Sequence, residues 1–374
     1  MGSIIDVNEM PRNRGRRNYA LRAVLACVTL TAITASMAAW PQVKADVTLP
    51  STPKTVVRGI IASDVPPVLR IRSGQTVRID TVSHQGLQKN PVEYFGADGI
   101  PESQVLPDAV AIYKDVPATS GFGGHVLTGP IYIESAEPGD VLEVRVRELE
   151  NRVPYGVNAA GKGGVLPGLL PDNDPKTIKL DLSRHVAQFS RDVEVPLVPF
   201  LGIMAVAGPP EQPRISSRPP GAYGGNMDFK HLTQGATLYL PVFNKGALFY
   251  TGDSHAVQGD GEVDGTALEA SLTATLQFIV HKGGGKDMPF PRAEDAEYDY
   301  VLGMDKDLNL ALKNAVSQAV VFLQGKGLSV RDAYALSSIG VDFGIAEAVD
   351  ENLTVYGRIP KKLFKAHTSY WAAQ

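Results

Sequence analysis

The feature that most constrains the fold is an alternation of apolar and polar side chains over residues 272–280, broken only at Ile279. Successive side chains of an extended strand point to opposite faces of a sheet, so this period of two predicts a β-strand. The apolar members are Leu272, Ala274, Leu276, Phe278 and Val280. Shorter alternating segments lie at residues 77–80, 142–146 and 237–240. With 37 glycines and 27 prolines spread along the chain, the pattern predicts a mainly β fold, an antiparallel β-sandwich or barrel-like core.

Two helices are predicted near the C-terminus. The first carries an apolar stripe at helical spacing, formed by Leu308, Ala311, Leu312, Ala315, Ala319, Phe322 and Leu323. Gly325 follows as a stop signal. Ser329, with Asp332 three residues later, is typical of an N-cap that opens a second helix through Ala335. We expect this helical pair to be scaffold that covers one side of the sheet.

Residues 1–45 have the three-part layout of a secretory signal. A basic start with several arginines precedes an uncharged apolar run over residues 23–40, and small residues precede Asp46. The pair Arg16-Arg17 is typical of a twin-arginine signal. We therefore expect export to the periplasm or the extracellular space, and one domain over residues 46–374. The alternative is an uncleaved membrane anchor, because the run is about long enough to span a bilayer.

Removal of the signal changes the charge and the redox chemistry of the chain. Residues 1–45 contain six of the 36 Lys and Arg and two of the 40 Asp and Glu, which leaves 30 against 38 and a net charge of −8. Such an acidic protein is a poor partner for nucleic acid. The single cysteine, Cys27, lies inside the signal, so the mature chain has neither a disulfide nor a cysteine nucleophile.

The segment 207–225 has five prolines and no periodicity. It is either a disordered linker between two halves or an ordered loop that shapes a pocket, since long ordered loops in compact domains are often functional. The polar stretch Asn226-Met227-Asp228 follows it directly. This position favours the ordered loop.

The stretch "GDSHAVQGDGEVDG" at residues 252–265 concentrates candidate ligands. Asp253 and His255 are two residues apart, so in a strand they share a face. An imidazole with carboxylates suits zinc, although a polar hairpin with solvated acids would give the same pattern. His84 and His125 lie in loops beside predicted strands, where ligands concentrate. The sequence has no Gly-x-Ser-x-Gly elbow, phosphate loop or dinucleotide fingerprint.

Several of these segments together resemble the acetamidase/formamidase family. The resemblance rests on "HVLTGPIYIESAEPGD" (125–140), "GGNMD" (224–228), "LYLPVFNKGALFYTGDSHAVQGDGEVDGTALE" (238–269) and "DAYALSSIGVDFGIAEAVD" (332–350), with "TVSHQGL" (81–87) and "RVPYGVN" (152–158) fitting a subgroup. Two positions depart from it. Asp264 stands where many members have cysteine, and Gln85 stands where the subgroup often has glutamate.

The resemblance implies a mainly β enzyme that hydrolyses a short aliphatic amide to a carboxylate and ammonia with a bound divalent metal. Water activated by the metal would attack the amide carbonyl. The hypothesis assigns Asp253 and His255 to the metal, with His84 or Asp228 completing the shell. Glu262 is the general base and acid, and Asp260 is a second acid that could take that role. His125 and Asn226 orient the substrate or hold the oxyanion.

Zinc is the expected metal, with calcium as an alternative second, structural ion. We also expect a homo-oligomer, a dimer, and no stable membrane anchor after signal cleavage. Two other functions stay open on the sequence. One is an exported, non-catalytic protein that binds a metal or ligand on an amidase scaffold, and the other is a hydrolase of larger amides whose pocket is widened by the loop at 207–225.

Overall fold

The computed structural model describes residues 43–161, 163–170 and 174–365. Residues 1–42 of the predicted export signal therefore lie outside the described residues. Within the described ranges, no helix has both the length and the apolar composition needed to cross a bilayer.

Twenty-two strands are described in this part of the chain. The first eleven are β1 Val47–Leu49, β2 Val56–Arg58, β3 Ile60–Ala62, β4 Leu69–Ile71, β5 Thr76–Asp80, β6 Val126–Ile133, β7 Val141–Asn151, β8 Tyr155–Ala160, β9 Asp174–Asp181, β10 Val186–Ser190 and β11 Val193–Pro196. The others are β12 Phe200–Val206, β13 Arg214–Ser216, β14 Gly224–Asn226, β15 Thr237–Pro241, β16 Phe249–Val257, β17 Leu268–Glu269, β18 Leu272–His281, β19 Arg292–Glu294, β20 Tyr298–Asp305, β21 Asp342–Glu347 and β22 Leu353–Pro360.

Four α-helices accompany these strands in the described residues. They are α1 Pro91–Ala97, α2 Pro107–Asp115, α3 Leu308–Gly325 and α4 Val330–Gly340. Short 3-10 turns lie at Glu102–Gln104, Gly285–Asp287 and Lys361–Leu363.

The strands form two large sheets. The first has nine strands in the order β1-β5-β18-β7-β15-β19-β20-β22-β21, and the second has eleven, with the path β11-β10-β9-β8-β17-β16-β12-β14 and β2, β4 and β6 beside it. Their pairings are antiparallel except β1 with β5 and β4 with β6. Phe249 of β16 and Phe278 of β18 meet edge to face with ring centroids 5.0 Å apart. One apolar core is therefore shared by both sheets, which confirms the mainly β, largely antiparallel sandwich.

The alternating segments are strands, as predicted. Residues 272–280 lie in β18, between β5 and β7, which contain the segments 77–80 and 142–146. The polar face of β18 is more buried than alternation predicts, since Thr273 and Thr275 are nearly inaccessible. Thr273 satisfies its hydroxyl by donating to Asp80 Oδ1 at 2.6 Å. A central strand can thus bury hydroxyls when neighbouring strands accept their hydrogen bonds.

The C-terminal helical pair is also confirmed. Ser329 caps α4 and accepts a hydrogen bond from the backbone N–H of Asp332, although α4 continues to Gly340 and not only to Ala335. Helix α3 packs on β20 and β22 of the nine-stranded sheet. Gly303 permits this approach, because a Cβ there would lie 2.1 Å from the backbone nitrogen of Ala315. The predicted stripe is wrong at Leu312, which faces solvent.

Helices α1 and α2 are absent from the sequence prediction. Both are short, and both begin with proline in the first turn, which suits a helix start but also marks loops. Their apolar residues do not form the long stripe that identifies α3. Instead, they pack against the ends of β5, β6 and β8.

Candidate active site

Strand β16 places the first two candidate residues in the middle of the eleven-stranded sheet. Asp253 and His255 are both buried, and His255 Nε2 lies 3.5 Å from Asp253 Oδ2, as expected from their two-residue spacing. The backbone of Asp253 has φ +49°, in the left-handed region. Such a conformation is uncommon for a residue other than glycine, and it clusters at functional sites where the surrounding structure enforces it.

The carboxylate of Asp253 contacts histidines on both of its oxygens. His84, which follows β5, has Nδ1 3.3 Å from Asp253 Oδ1. His125, which precedes β6, has Nε2 3.7 Å from the same oxygen. The two imidazole rings lie edge to face with centroids 4.9 Å apart. Three histidines from three separated parts of the chain therefore surround one buried carboxylate.

Glu269 is a site residue that the sequence prediction missed. It lies in the two-residue strand β17, and its Oε1 is 3.3 Å from His255 Nε2. A strand of two residues is too short to show the alternation from which a β-strand is predicted. Its position at the end of the family-like segment 238–269 was the available signal, but no role was assigned to it. The Nε2 atom of His255 thus faces two carboxylates, those of Asp253 and Glu269.

The opposite ring nitrogen of His255 is held by Gln258. His255 Nδ1 lies 3.0 Å from Gln258 Oε1, and Gln258 Nε2 donates to the backbone oxygens of Asp228 and Ala346. Because these two carbonyls fix the amide orientation, Gln258 Oε1 accepts and His255 Nδ1 carries the proton. In the neutral ring the lone pair is therefore on Nε2, between Asp253 and Glu269. A hydrogen bond of this kind is the usual way to orient a metal-binding histidine.

A group of acids lies on the Nδ1 side of His255. Asp228 Oδ1 is 3.8 Å from His255 Nδ1, and Glu262 lies in the same buried group. Both residues have left-handed backbones, with φ +42° at Asp228 and +44° at Glu262. Gly202 of β12 leaves room for Asp228 and His255, since a Cβ there would lie 2.4 Å from Asp228 Oδ1 and 2.9 Å from His255 Cε1.

Asn226 connects this group to residues near the end of the chain. Its Nδ2 donates to Asp350 Oδ2 at 2.6 Å, while its buried Oδ1 has no hydrogen-bond partner. Glu347 Oε2 accepts from the backbone N–H groups of Val349 and Asp350, both at 3.1 Å. The sequence prediction also missed Asp350 and Glu347. They lie within the family-like segment 332–350, but no local pattern places them beside Asp228.

The electrostatics differ between the two sides of His255. Burial opposes the charge of Asp253, but His125, His255 and His84 outweigh burial and hold its pKa well below the usual range. Burial raises the pKa of Asp228 and of Glu262 well above their usual values, with help from neighbouring carboxylates. Burial and the nearby Glu347 raise the pKa of Asp350 in the same way.

The histidines respond to the same charges. Burial works against charging His255, yet Glu269 and Asp253 raise its pKa well above the usual value. The negative potential that stabilises an imidazolium there would equally stabilise a divalent cation. Burial lowers the pKa of His125 to about 4, so this ring is neutral near pH 7 and can offer a lone pair. Its Nδ1 is hydrogen-bonded to Ser217 Oγ at 2.8 Å, and its Nε2 faces Asp253.

The donor set fits a metal. Buried polar atoms are normally hydrogen-bonded, but several atoms here have no such partner: His84 Nδ1, Asp253 Oδ1, His255 Nε2, Glu269 Oε2 and both carboxylate oxygens of Asp228. They belong to three groups whose ligand atoms lie within 4.8 Å of one another, namely His84–His125–Asp253, Asp253–His255–Glu269 and Asp228–His255–Glu262. Imidazole and carboxylate ligands at this spacing suit a divalent metal.

The predicted ligand set is divided by this geometry. His84, Asp228, Asp253 and His255 all lie in the cluster, but none of these groups of described residues contains both His84 and His255. The partner of Asp253 and His255 is Glu269. His84 instead joins His125, a residue to which the sequence assigned substrate binding. All four residues lie in one cluster, but the sequence could not say which of them face one another, and their role as metal ligands stays a prediction.

Asp260 lies apart from the buried groups. Its side chain is 41% exposed, and it forms an ion pair with Lys230 at 3.0 Å and accepts a hydrogen bond from Tyr356. Its catalytic role stays a prediction. The loop 207–225 is ordered around the site: β13 pairs with β3, and Ser217 reaches His125.

The comparisons with known proteins identify a family for this chain. The model of the Acetamidase/Formamidase family matches residues 111–218 and 212–366. The chain belongs to the acetamidase/formamidase family. The matched region contains most of the cluster, and His84 precedes it.

Named relatives and solved structures extend this result. The chain is 26% identical to a formamidase of Methylophilus methylotrophus over 379 residues, covering 81% of this chain and 88% of the relative. It is 27% identical to an acetamidase of Mycolicibacterium smegmatis, covering 57% and 72%. The crystal structure of an acetamidase from Yersinia enterocolitica superposes with a TM-score of 0.70 at 28% identity, covering 86% of this chain and 94% of that one. The family member described here is thus an amidase.

Proposed function

We propose that this amidase hydrolyses a short aliphatic amide, of the formamide or acetamide type, to a carboxylate and ammonia at the Asp253–His255 cluster. The observation that carries the proposal is the Asp253 carboxylate, buried among three imidazoles, where His84 Nδ1, His255 Nε2 and Asp253 Oδ1 lack hydrogen-bond partners. The names of the relatives, a formamidase and an acetamidase, support the size of the substrate.

Asp253, His255 and Glu269 would hold a divalent metal, with His84 and His125 forming a second group on the other oxygen of Asp253. A mixed imidazole and carboxylate set suits zinc. When bound, zinc supplies a Lewis acid for the amide carbonyl and lowers the pKa of a coordinated water to about 7.

The residues of the chain supply the proton transfers and the orientation. Amide hydrolysis needs a base for the attacking water and an acid for the departing nitrogen. A carboxyl with a raised pKa can exchange a proton near neutral pH, and Glu262 has this property and is nearly buried. The unpartnered Oδ1 of Asn226 and the neutral ring of His125 are available to orient the amide.

Ammonia release from a panel of amides tests this function. The panel contains formamide, acetamide, propionamide and amides with longer acyl groups, and the metal content is measured on the same protein. Ammonia from the one- and two-carbon amides is the expected result. Full metal occupancy with no ammonia from any amide would favour the binding-protein alternative, and turnover of the longer amides alone would favour the larger-amide hydrolase.

We also propose export of a soluble 46–374 enzyme through the twin-arginine pair. Replacing Arg16 and Arg17 together by lysine should retain the protein in the cytoplasm of a bacterial host, because the pair is the part of the signal read by that export system. Fractionation of cells with an antibody to the mature chain measures this. Unchanged export of the double variant would contradict the assignment.

A further inference from the structure

A small cavity lies beside the cluster, between the end of β5, strands β8 and β17, and helices α1 and α2. Its volume is about 20 Å³ on a measure that counts positions of a water-sized sphere. On that measure about 10–15 Å³ holds one water molecule, so the cavity accepts one group of water or methyl size. Its wall includes Val82, Phe95, Leu106 and Ala109 on one side and Gln85 and Glu269 on the other.

The polar wall of the cavity is also part of the cluster. Glu269 lies 3.3 Å from His255 Nε2 through Oε1, and its other oxygen is buried without a hydrogen-bond partner. Gln85 Nε2 lies 3.1 Å from His84 Nε2. Two of the polar side chains that line the cavity, those of Gln85 and Glu269, therefore contact two of the three histidines around Asp253. The cavity and the histidine cluster are therefore adjacent and share the side chains of Gln85 and Glu269.

The opposite wall is apolar and comes from the helical segment. Val82 and Ala109 are buried in one apolar cluster, with Leu106 packed against it, and Phe95 lies in the neighbouring cluster with Tyr155. The family match begins at residue 111, so Phe95, Leu106 and Ala109 lie before it.

We propose that this cavity receives the acyl group of the amide, and that Leu106, Phe95 and Ala109 set the longest acyl group that the enzyme accepts. The inference rests on the proposed function. The amide group lies at the polar wall, beside Glu269 and the histidines, and the hydrogen of a formyl group or the methyl of an acetyl group lies against the apolar wall. A propionyl group has one methylene more than the cavity holds. One surplus methylene in a fitted apolar pocket lowers kcat/KM by about 10- to 200-fold.

The test enlarges and reduces the cavity. Leu106→Ala enlarges it, and kcat/KM for propionamide relative to acetamide should rise by about tenfold or more. Ala109→Val reduces it, and kcat/KM for acetamide relative to formamide should fall. Val110→Ala is the matched control, because Val110 is a half-buried residue of the same helix that does not line the cavity. Its substrate ratios should equal those of the wild type.

Binding of carboxylate products separates this inference from the proposed function. Affinities for formate, acetate, propionate and butyrate, measured by calorimetry on the metal-loaded protein, do not depend on turnover. Leu106→Ala should shift the preferred carboxylate to a longer chain, and Ala109→Val should shift the preference to formate.

An unchanged length preference in both variants, with amides hydrolysed by the wild type, would overturn the assignment of the acyl pocket to this cavity. If the wild type releases no ammonia, the proposed function fails, and a shift in carboxylate preference would still support the pocket. Since the two variants act in opposite directions, one that does not fold leaves the other to decide.

Discussion

Buried carboxylates lie on both sides of His255, and the carboxylates of the two sides differ in charge state. On the Nε2 side, Asp253 is surrounded by imidazoles, and its pKa is held well below the usual range. On the Nδ1 side, Asp228 and Glu262 face other carboxylates, and burial raises their pKa values. The comparison teaches that the neighbours decide the role. The side rich in histidine keeps its carboxylate charged, as the proposed cation site requires, while the side rich in acid favours protonated carboxyl groups, as the proposed proton transfer requires.

The largest effect is expected at Asp253. Asp253→Asn keeps the shape of the side chain and tolerates a positive φ, but it removes the charge shared by two groups of ligands. Turnover should fall by about 10⁴-fold or more, because water activation and oxyanion stabilisation are lost together. Elemental analysis should show loss of metal. Asp299→Asn removes a buried acid outside the cluster and is the control. It should keep normal turnover and normal metal content. Normal metal content in Asp253→Asn would contradict the conclusion that the charged carboxylate on the Nε2 side of His255 holds the metal.

Glu262→Gln tests the proton-transfer side. The expected result is a decrease in kcat of about 10²–10⁴-fold with metal content near normal, as for loss of a general acid or base. Asp260→Asn, measured in parallel, shows whether the exposed acid of the same loop contributes. Loss of metal from Glu262→Gln would make Glu262 a ligand and remove the distinction between the two sides.

A smaller effect is expected at Gln258, which separates the two sides by fixing the proton on His255 Nδ1. Gln258→Leu should reduce metal affinity by about 10- to 100-fold, the usual cost of losing a residue that orients a histidine ligand. Competition with a chromophoric chelator measures this. Unchanged zinc affinity would show that Gln258 does not set the lone pair of His255.

The smallest effect on activity is expected at Asp299, where burial, helped by Glu294 and Asp295, raises the pKa to about 6. A carboxyl whose pKa is raised on folding stabilises the protein below its unfolded pKa of about 4, and this stabilisation is lost as the pH rises through 6. At pH 7 the loss is roughly 3 kcal/mol for a shift of two units. Asp299→Asn should flatten the dependence of unfolding free energy on pH between 4 and 6, measured by urea denaturation, without changing turnover. Unchanged pH dependence would show that the pKa of Asp299 is not raised on folding, and that raised carboxyl pKa values are confined to the cluster.

The sequence predicts the elements whose information is local. The alternation over residues 272–280 identifies β18, and the stripe and the cap at Ser329 identify α3 and α4. The pairing of Asp253 with His255 also follows from local spacing. Glu269, Glu347 and Asp350 could not be found in this way, because strand pairing brings Glu269 to His255 and loop packing brings Asp350, with Glu347, to Asn226 from other parts of the chain. The same limit applies to the division of the ligands into groups, which depends on the contact between β16 and β17.

The most direct test of the central claim follows ammonia release from acetamide and zinc content in the same samples of purified protein. Both are measured before chelation, after complete chelation and after stepwise return of zinc. The account predicts that turnover disappears with the metal and returns in proportion to bound zinc. Full turnover by metal-free protein would contradict it, because the carboxylates and histidines around Asp253 would then act without the cation that their arrangement fits.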